Sequence, residues 1–199
     1  MALRPRANAV AAVARAPAGS RAGRAEKARR AVAAPRPASQ PAAVPELIVG
    51  LGANLGDARA ALRGAVAALH ALPGVQPRAC SALWRSAPVD APGEDYLNAV
   101  VSVSYPFSAQ QALQQLQDIE QQAGRQRPYR HAPRTLDLDL LFWGDETIDT
   151  PTLTVPHPRW RERAFVLHPL AEVAPRRVTP AMLAAVSAQR IQRLTEPFP

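Results

Sequence analysis

The stretch Thr135-Leu136-Asp137-Leu138-Asp139-Leu140-Leu141-Phe142-Trp143 constrains the fold more than any other part of this chain. Leu136, Leu138 and Leu140 alternate with Thr135, Asp137 and Asp139. A period of two is the pattern of a half-buried strand, with leucines on the core face and both carboxylates on the other. On such a strand the two Asp side chains lie roughly 6–7 Å apart, from a rise of about 3.3 Å per residue. Like charges that close are unfavourable unless a cation lies between them. Just upstream, Arg125, Arg127, Arg130 and Arg134 crowd into ten residues. Paired carboxylates beside clustered guanidinium groups point to Mg2+ and a polyphosphate.

The formal charge of +8 suggests a nucleic-acid binder until it is divided along the chain. Residues 1–45 hold nine basic residues and one acid, Glu26, whereas residues 46–199 hold 15 of each. The positive charge therefore belongs to a tail, and the body is neutral. That tail has 17 alanines, six prolines and no aromatic residue, too little apolar surface to offset the entropy of ordering. It reads as disordered, ahead of a domain spanning residues 46–199. Its Arg-rich, acid-poor character allows a transit peptide, although Ser20 and Ser39 are its only serines. No apolar run reaches the ~20 residues of a bilayer span. The single cysteine, Cys80, cannot form an intrachain disulfide. These features make the cytoplasm the default and predict no membrane or nucleic-acid partner; a monomer is the working expectation, though no residue pattern sets the oligomeric state.

Leu47–Leu51 reads as a strand, Asp57–Leu72 as an amphipathic helix stopped by Pro73-Gly74, and Val75–Ser86 as a second strand. Tyr96–Tyr105 is a third strand. Ser108, with Gln111 three residues on, forms a capping box that opens a second helix ended by Gly124. The acid-bearing strand follows. This β-α-β-β-α-β order predicts an α+β, ferredoxin-like antiparallel sheet with both helices on one face and the other face free for a ligand. Downstream, Pro151–Pro158 reads as loop, Arg159–Ala164 as a turn of helix and Met182–Leu194 as a weak helix, all C-terminal additions.

Gly50-Leu51-Gly52-Ala53-Asn54-Leu55-Gly56 has the wrong spacing for a dinucleotide fingerprint and no acid placed to hold a ribose. Its glycines read as a tight strand-to-helix turn, with Asn54 facing the site. The histidines His70, His131, His157 and His168 are too scattered for zinc. A ferredoxin-like RNA-binding module would need exposed aromatics and a basic sheet face, which the neutral body and paired acids argue against.

Several segments together resemble the 6-hydroxymethyl-7,8-dihydropterin pyrophosphokinase family of folate synthesis. They are the Gly50–Gly56 run, Tyr96-Leu97-Asn98-Ala99-Val100, Ile119-Glu120 through Gly124-Arg125-Gln126-Arg127, Pro133–Asp139, Val155-Pro156-His157-Pro158-Arg159 and Arg163-Ala164-Phe165. The resemblance implies Mg2+-dependent transfer of diphosphate from ATP to the pterin hydroxymethyl group, releasing AMP. It assigns two Mg2+ ions to Asp137 and Asp139, and charge stabilisation to Arg125 and Arg134. Tyr96 and Phe165 would sandwich the pterin while Asn98 and Asn54 meet its polar edge. Arg127, His157 and Arg163, with Gln117 and Glu120, would hold ATP. The chain departs from the family at Ala53, where Ser is common, and at His131, in a region where some members carry Trp. The loop over residues 128–132 is a residue shorter than in some members.

Overall fold

Leu47, Val49, Leu51 and Ala53 put one face of the first strand into the core, while Ile48, Gly50 and Gly52 face the other way. The computed structural model describes residues 43–88, 93–124 and 135–199. The basic tail of the sequence reading lies outside these residues as far as position 42.

Strand β1 (Glu46–Ala53) leads into helix α1 (Ala58–His70), whose N-cap Asp57 accepts from the Ala60 N–H at 2.9 Å. The edge strand comes in two pieces, β2 (Gln76–Cys80) and β3 (Trp84–Ser86), followed by β4 (Tyr96–Ser104). Helix α2 (Ala109–Gln122) starts at the expected capping box, with both reciprocal Ser108–Gln111 bonds present. It stops at Gly124, which takes φ +78°, a value costly for other residues. Strand β5 (Asp137–Trp143) then completes the β-α-β-β-α-β order.

The sheet runs β5-β1-β4-β3, with β2 also on β4, and every pairing is antiparallel. Leu62, Val66 and Leu69 of α1 and Leu116 and Ile119 of α2 pack on one sheet face together with Val49, Val101 and Leu138. The expected α+β ferredoxin-like architecture is therefore present.

Three local expectations need correction. Residues 75–86 do not form one strand: an extra residue between Cys80↔Val101 and Trp84↔Asn98 breaks the ladder. There the Ser81 hydroxyl, in place of a backbone carbonyl, accepts from the Val100 N–H at 2.9 Å. Second, the face opposite α1 and α2 is only half free. Helix α3 (Ala164–Val173) covers the end containing Ile48, Val100, Leu141 and Phe142, and it follows the expected helical turn, here Trp160–Glu162. Its interior Pro169 and apolar character all round masked it, since neither gives the amphipathic signal. Third, Met182–Leu194 is not one helix. Thr179 caps α4 (Pro180–Ala185), and the chain then adds a strand, Ile191–Arg193, to β3. Pairing with an open edge overrides weak local propensity there.

Two further strands, β6 (Ile148–Asp149) and β7 (Thr154–Val155), form a small hairpin inside what reads as loop, which makes Ile191–Arg193 β8. Among the described residues no helix is long and apolar enough to cross a membrane.

Candidate active site

The uncovered half of the second sheet face is built by register. Asp137 sits opposite Gly52, and Gly52 opposite Asn98; one row along, Asp139 sits opposite Gly50 and Gly50 opposite Val100. Side chains two apart share a face, so Asp137 and Asp139 project together, as their alternation with leucine predicts. Between Asp137 and Asn98, Gly52 leaves a floor without a side chain, whereas the space over Gly50 is filled by Leu141, whose Cδ1 lies 3.4 Å from where a Cβ would stand. This corrects the reading of these glycines as a turn: Gly50 and Gly52 lie within β1, and only Gly56, at φ +60°, serves the turn. Neither glycine needs an unusual backbone; what matters is the missing Cβ.

On the other side of the carboxylates lies a cavity of about 630 Å3, within the usual range for small-molecule sites. Asp137, Asp139, Gln117, Glu120 and His157 line it, so five sequence-predicted residues meet there. Leu113, Gln117, Glu120 and Gln121 fall on one helical face of α2 because their spacings are three, four or multiples near them. Glu120 is 2% exposed, and its carboxylate accepts from the Leu138 N–H at 2.7 Å, between the two Asp residues. The His157 N–H donates to Leu141 O, and its Nδ1 accepts from the Arg159 N–H at 3.1 Å. That bond places the proton of the neutral ring on Nε2. Burial lowers the His157 pKa; Arg163 and Arg159 act in the same direction and Asp139 against it.

The predicted pterin-side residues gather around the glycine floor. Tyr96 and Asn98 lie on the same face of β4 as Val100, just beyond the end that α3 covers. The Asn98 amide donates to Ser86 Oγ, Trp84 O and Tyr96 O at 3.0–3.4 Å, while Oδ1 lies 3.5 Å from where a Cβ on Gly52 would stand. Its donors thus serve the fold and its acceptor faces the floor. Asn54, buried at the end of β1, donates to Glu94 O at 3.4 Å, tying the turn to the approach to Tyr96. Arg163 reaches across to Asp139 at 3.4 Å and stands over the Phe165 ring, 5.4 Å from its centroid. It links the carboxylates to the start of α3.

Arg125, Arg127 and Arg134 lie outside the described residues, as does His131. Sequence reasoning missed the far wall of the cavity, Thr150–Thr154, which β6 and β7 hold. Two-residue strands carry too little periodicity to announce themselves; Pro151 as a turn residue was the available signal.

Residues 48–175 match the family 7,8-dihydro-6-hydroxymethylpterin-pyrophosphokinase (HPPK). A Synechocystis protein, 2-amino-4-hydroxy-6-hydroxymethyldihydropteridine pyrophosphokinase, is 44% identical over 133 residues, covering 67% of this chain and 68% of the relative. The Pseudomonas aeruginosa protein of the same name is 37% identical over 158 residues, 76% of this chain and 98% of its own. Among solved structures, wild-type Plasmodium falciparum HPPK-DHPS with pteroate superimposes with a TM-score of 0.56 at 13% identity. The match covers 77% of this chain but 48% of that longer one, and at such identity it shows shared fold alone. Family match and close relatives coincide with the segments that build the site, and the chain belongs to the 7,8-dihydro-6-hydroxymethylpterin-pyrophosphokinase family, an enzyme of the pyrophosphokinase class.

Proposed function

We propose that this chain transfers the terminal diphosphate of ATP to the hydroxymethyl group of 6-hydroxymethyl-7,8-dihydropterin, releasing AMP, with Mg2+ held at Asp137 and Asp139. The observation that carries the reading is the placement of two same-face carboxylates between a cavity of nucleotide size and a glycine floor edged by Asn98. In the reaction the hydroxymethyl oxygen bonds to the β-phosphorus as the bond from that phosphorus to the α–β bridging oxygen breaks. AMP leaves with that electron pair, and the hydroxyl proton passes to solvent.

The donor set fits Mg2+. Asp137 and Asp139 offer hard oxygen atoms, and among the described residues no third His, Cys, Asp or Glu completes a metal cluster. Mg2+ takes few carboxylates and fills its shell with water and phosphate oxygens, and when bound it neutralises charge on the triphosphate. The rest is positioning and electrostatics, which phosphoryl transfer chiefly requires. Gln117, Glu120, Arg127 and His157 hold the nucleotide, with the His157 Nε2–H available as a donor. Arg163 leaves its contact with Asp139 for the phosphates, and Arg125 and Arg134 stabilise charge on the transferring group. Tyr96 and Phe165 clasp the pterin ring, Asn98 Oδ1 accepts from its N–H edge, and Asn54 supports that side.

AMP release from ATP, Mg2+ and the hydroxymethyl dihydropterin tests this. Asp137→Asn or Asp139→Asn should lower turnover by about 10²-fold or more, the scale of losing one preorganised electrostatic contact. Turnover near wild type in either variant would refute the metal assignment.

A further inference from the structure

Arg163 and Phe165 stand at a helix start that its own sequence leaves uncapped. The N-cap of α3 is Arg163, whose side chain makes no capping bond, and a helix start presents N–H groups that need partners. The partner comes from 25 residues away. Gln189 Oε1 accepts from the Ala164 N–H at 2.9 Å, and Gln189 Nε2 donates to Glu162 O at 2.7 Å. Arg163 between them is extended, at φ −117° and ψ 112°. In extended backbone the carbonyl before a residue and the N–H after it lie on one edge, so a carboxamide can dock there as a neighbouring strand would. Both bonds disappear if the Arg163 backbone turns out of that conformation.

The next residue ties the opposite wall. Arg190 O accepts from the Ala87 N–H at 3.4 Å, and its guanidinium donates to Asp95 Oδ1 at 2.5 Å. Asp95 immediately precedes Tyr96, and Ala87 follows Ser86, the residue whose hydroxyl accepts from Asn98. The pair is anchored in turn, because the Gln189 N–H donates to the carbonyl of buried Val186 at 2.9 Å. The exposed Arg190 ion pair adds little energy alone; the two-bond Gln189 clamp is the stronger element.

We infer that Gln189 is a positioning residue, which with Arg190 braces the Phe165–Arg163 wall against the Tyr96–Asn98 wall and so sets the width of the pterin slot. Both residues lie beyond the 48–175 segment that matches the family. The inference rests on the diphosphate-transfer reading for its ligand, not for the brace itself.

Gln189→Met keeps length and bulk while removing both bonds. Amide exchange at Ala164 should quicken while that of core Val101 stays slow. The KM for the pterin should rise about 10-fold, the size of a lost helix cap, with kcat within about threefold, since binding to the ground state is what loosens. Gln189→Glu keeps the acceptor for Ala164 but loses the donor to Glu162, and should fall between wild type and Gln189→Met. Arg193→Ala, which cuts a different tie of the C-terminal segment, from β8 to Glu172, should leave the pterin KM unchanged. Unchanged Ala164 exchange, an unchanged pterin KM in Gln189→Met, or an equal rise in Arg193→Ala would each overturn the inference. A wild-type protein that releases no AMP would instead sink the transfer reading, leaving the brace to stand or fall on Ala164 exchange.

Discussion

Glu120 offers a stringent test of how the site is held. Strand β5 is the edge of the sheet, so alternate N–H groups on its outer side find no partner strand. The outward N–H of Leu138 is met at 2.7 Å by the Glu120 carboxylate, from the last turn of α2. A bond to a charged acceptor is worth about 1.5–3 kcal/mol, and a buried N–H left unsatisfied costs about 1–3 kcal/mol. These overlap rather than add, and truncation also opens space, so Glu120→Ala should lose about 3 kcal/mol. For a body of this size that is a fall in Tm of roughly 6–12 °C. Glu120→Gln keeps an acceptor oxygen and should lose about 1 kcal/mol, or roughly 2–4 °C. Because Leu138 separates Asp137 from Asp139, the Ala variant should also lose turnover, on the scale of 10²-fold for a misplacement of about 1 Å. Calorimetry and AMP release on the same samples decide it. A Glu120→Ala Tm within about 2 °C of wild type, or a Gln variant as unstable as the Ala variant, would refute the reasoning. A Gln variant of full stability with a raised KM for ATP would instead make Glu120 chiefly a nucleotide contact.

Other positions give contrasting signatures. Gly52→Ala places its Cβ 3.5 Å from Asn98 Oδ1, an ordinary contact, so stability should hold or rise by about 0.5–1 kcal/mol while pterin affinity falls about 10-fold; unchanged affinity would exclude the floor as a binding surface. His168, tilted against the Trp84 ring, has its pKa lowered by burial, so as pH falls below about 6.5 the unfolded chain takes up a proton that the folded one resists. Wild type should therefore lose more urea resistance between pH 7.5 and 5.5 than His168→Gln, and equal losses would contradict the burial effect. Removing residues 1–45 should leave AMP release unchanged; a large loss would place the tail within the catalytic unit.

What could be read from the sequence, and what could not, divides by the range of the forces involved. The capping box at Ser108 and the stop at Gly124 are local chemistry, and both stand where the sequence puts them. Gln189 has no local signature at all. Its partners at 162 and 164 are 27 and 25 residues away in sequence, so a Gln in a polar stretch carries the whole brace unannounced. Helix α3 was hidden because a segment packed on most sides loses the one-sided apolar stripe by which helices are recognised, and Pro169 argues against a helix until packing outweighs it.

Strand β5 nonetheless encodes where the site ends. From Leu136, just before it, to Leu140 the chain alternates strictly, with Leu136, Leu138 and Leu140 inward and Asp137 and Asp139 outward, as a strand does when one face is open. The strand's second half, Leu140-Leu141-Phe142, is an unbroken apolar run, the mark of a strand covered on both faces. The change coincides with a register shift opposite Ile48/Val49, after which Leu141 and Phe142 pack under α3. The carboxylates therefore stop where the second core begins. Since Phe165 and Arg163 start the helix that forms that core, the packing that hides α3 from sequence also delivers its first turn to the edge of the carboxylate site.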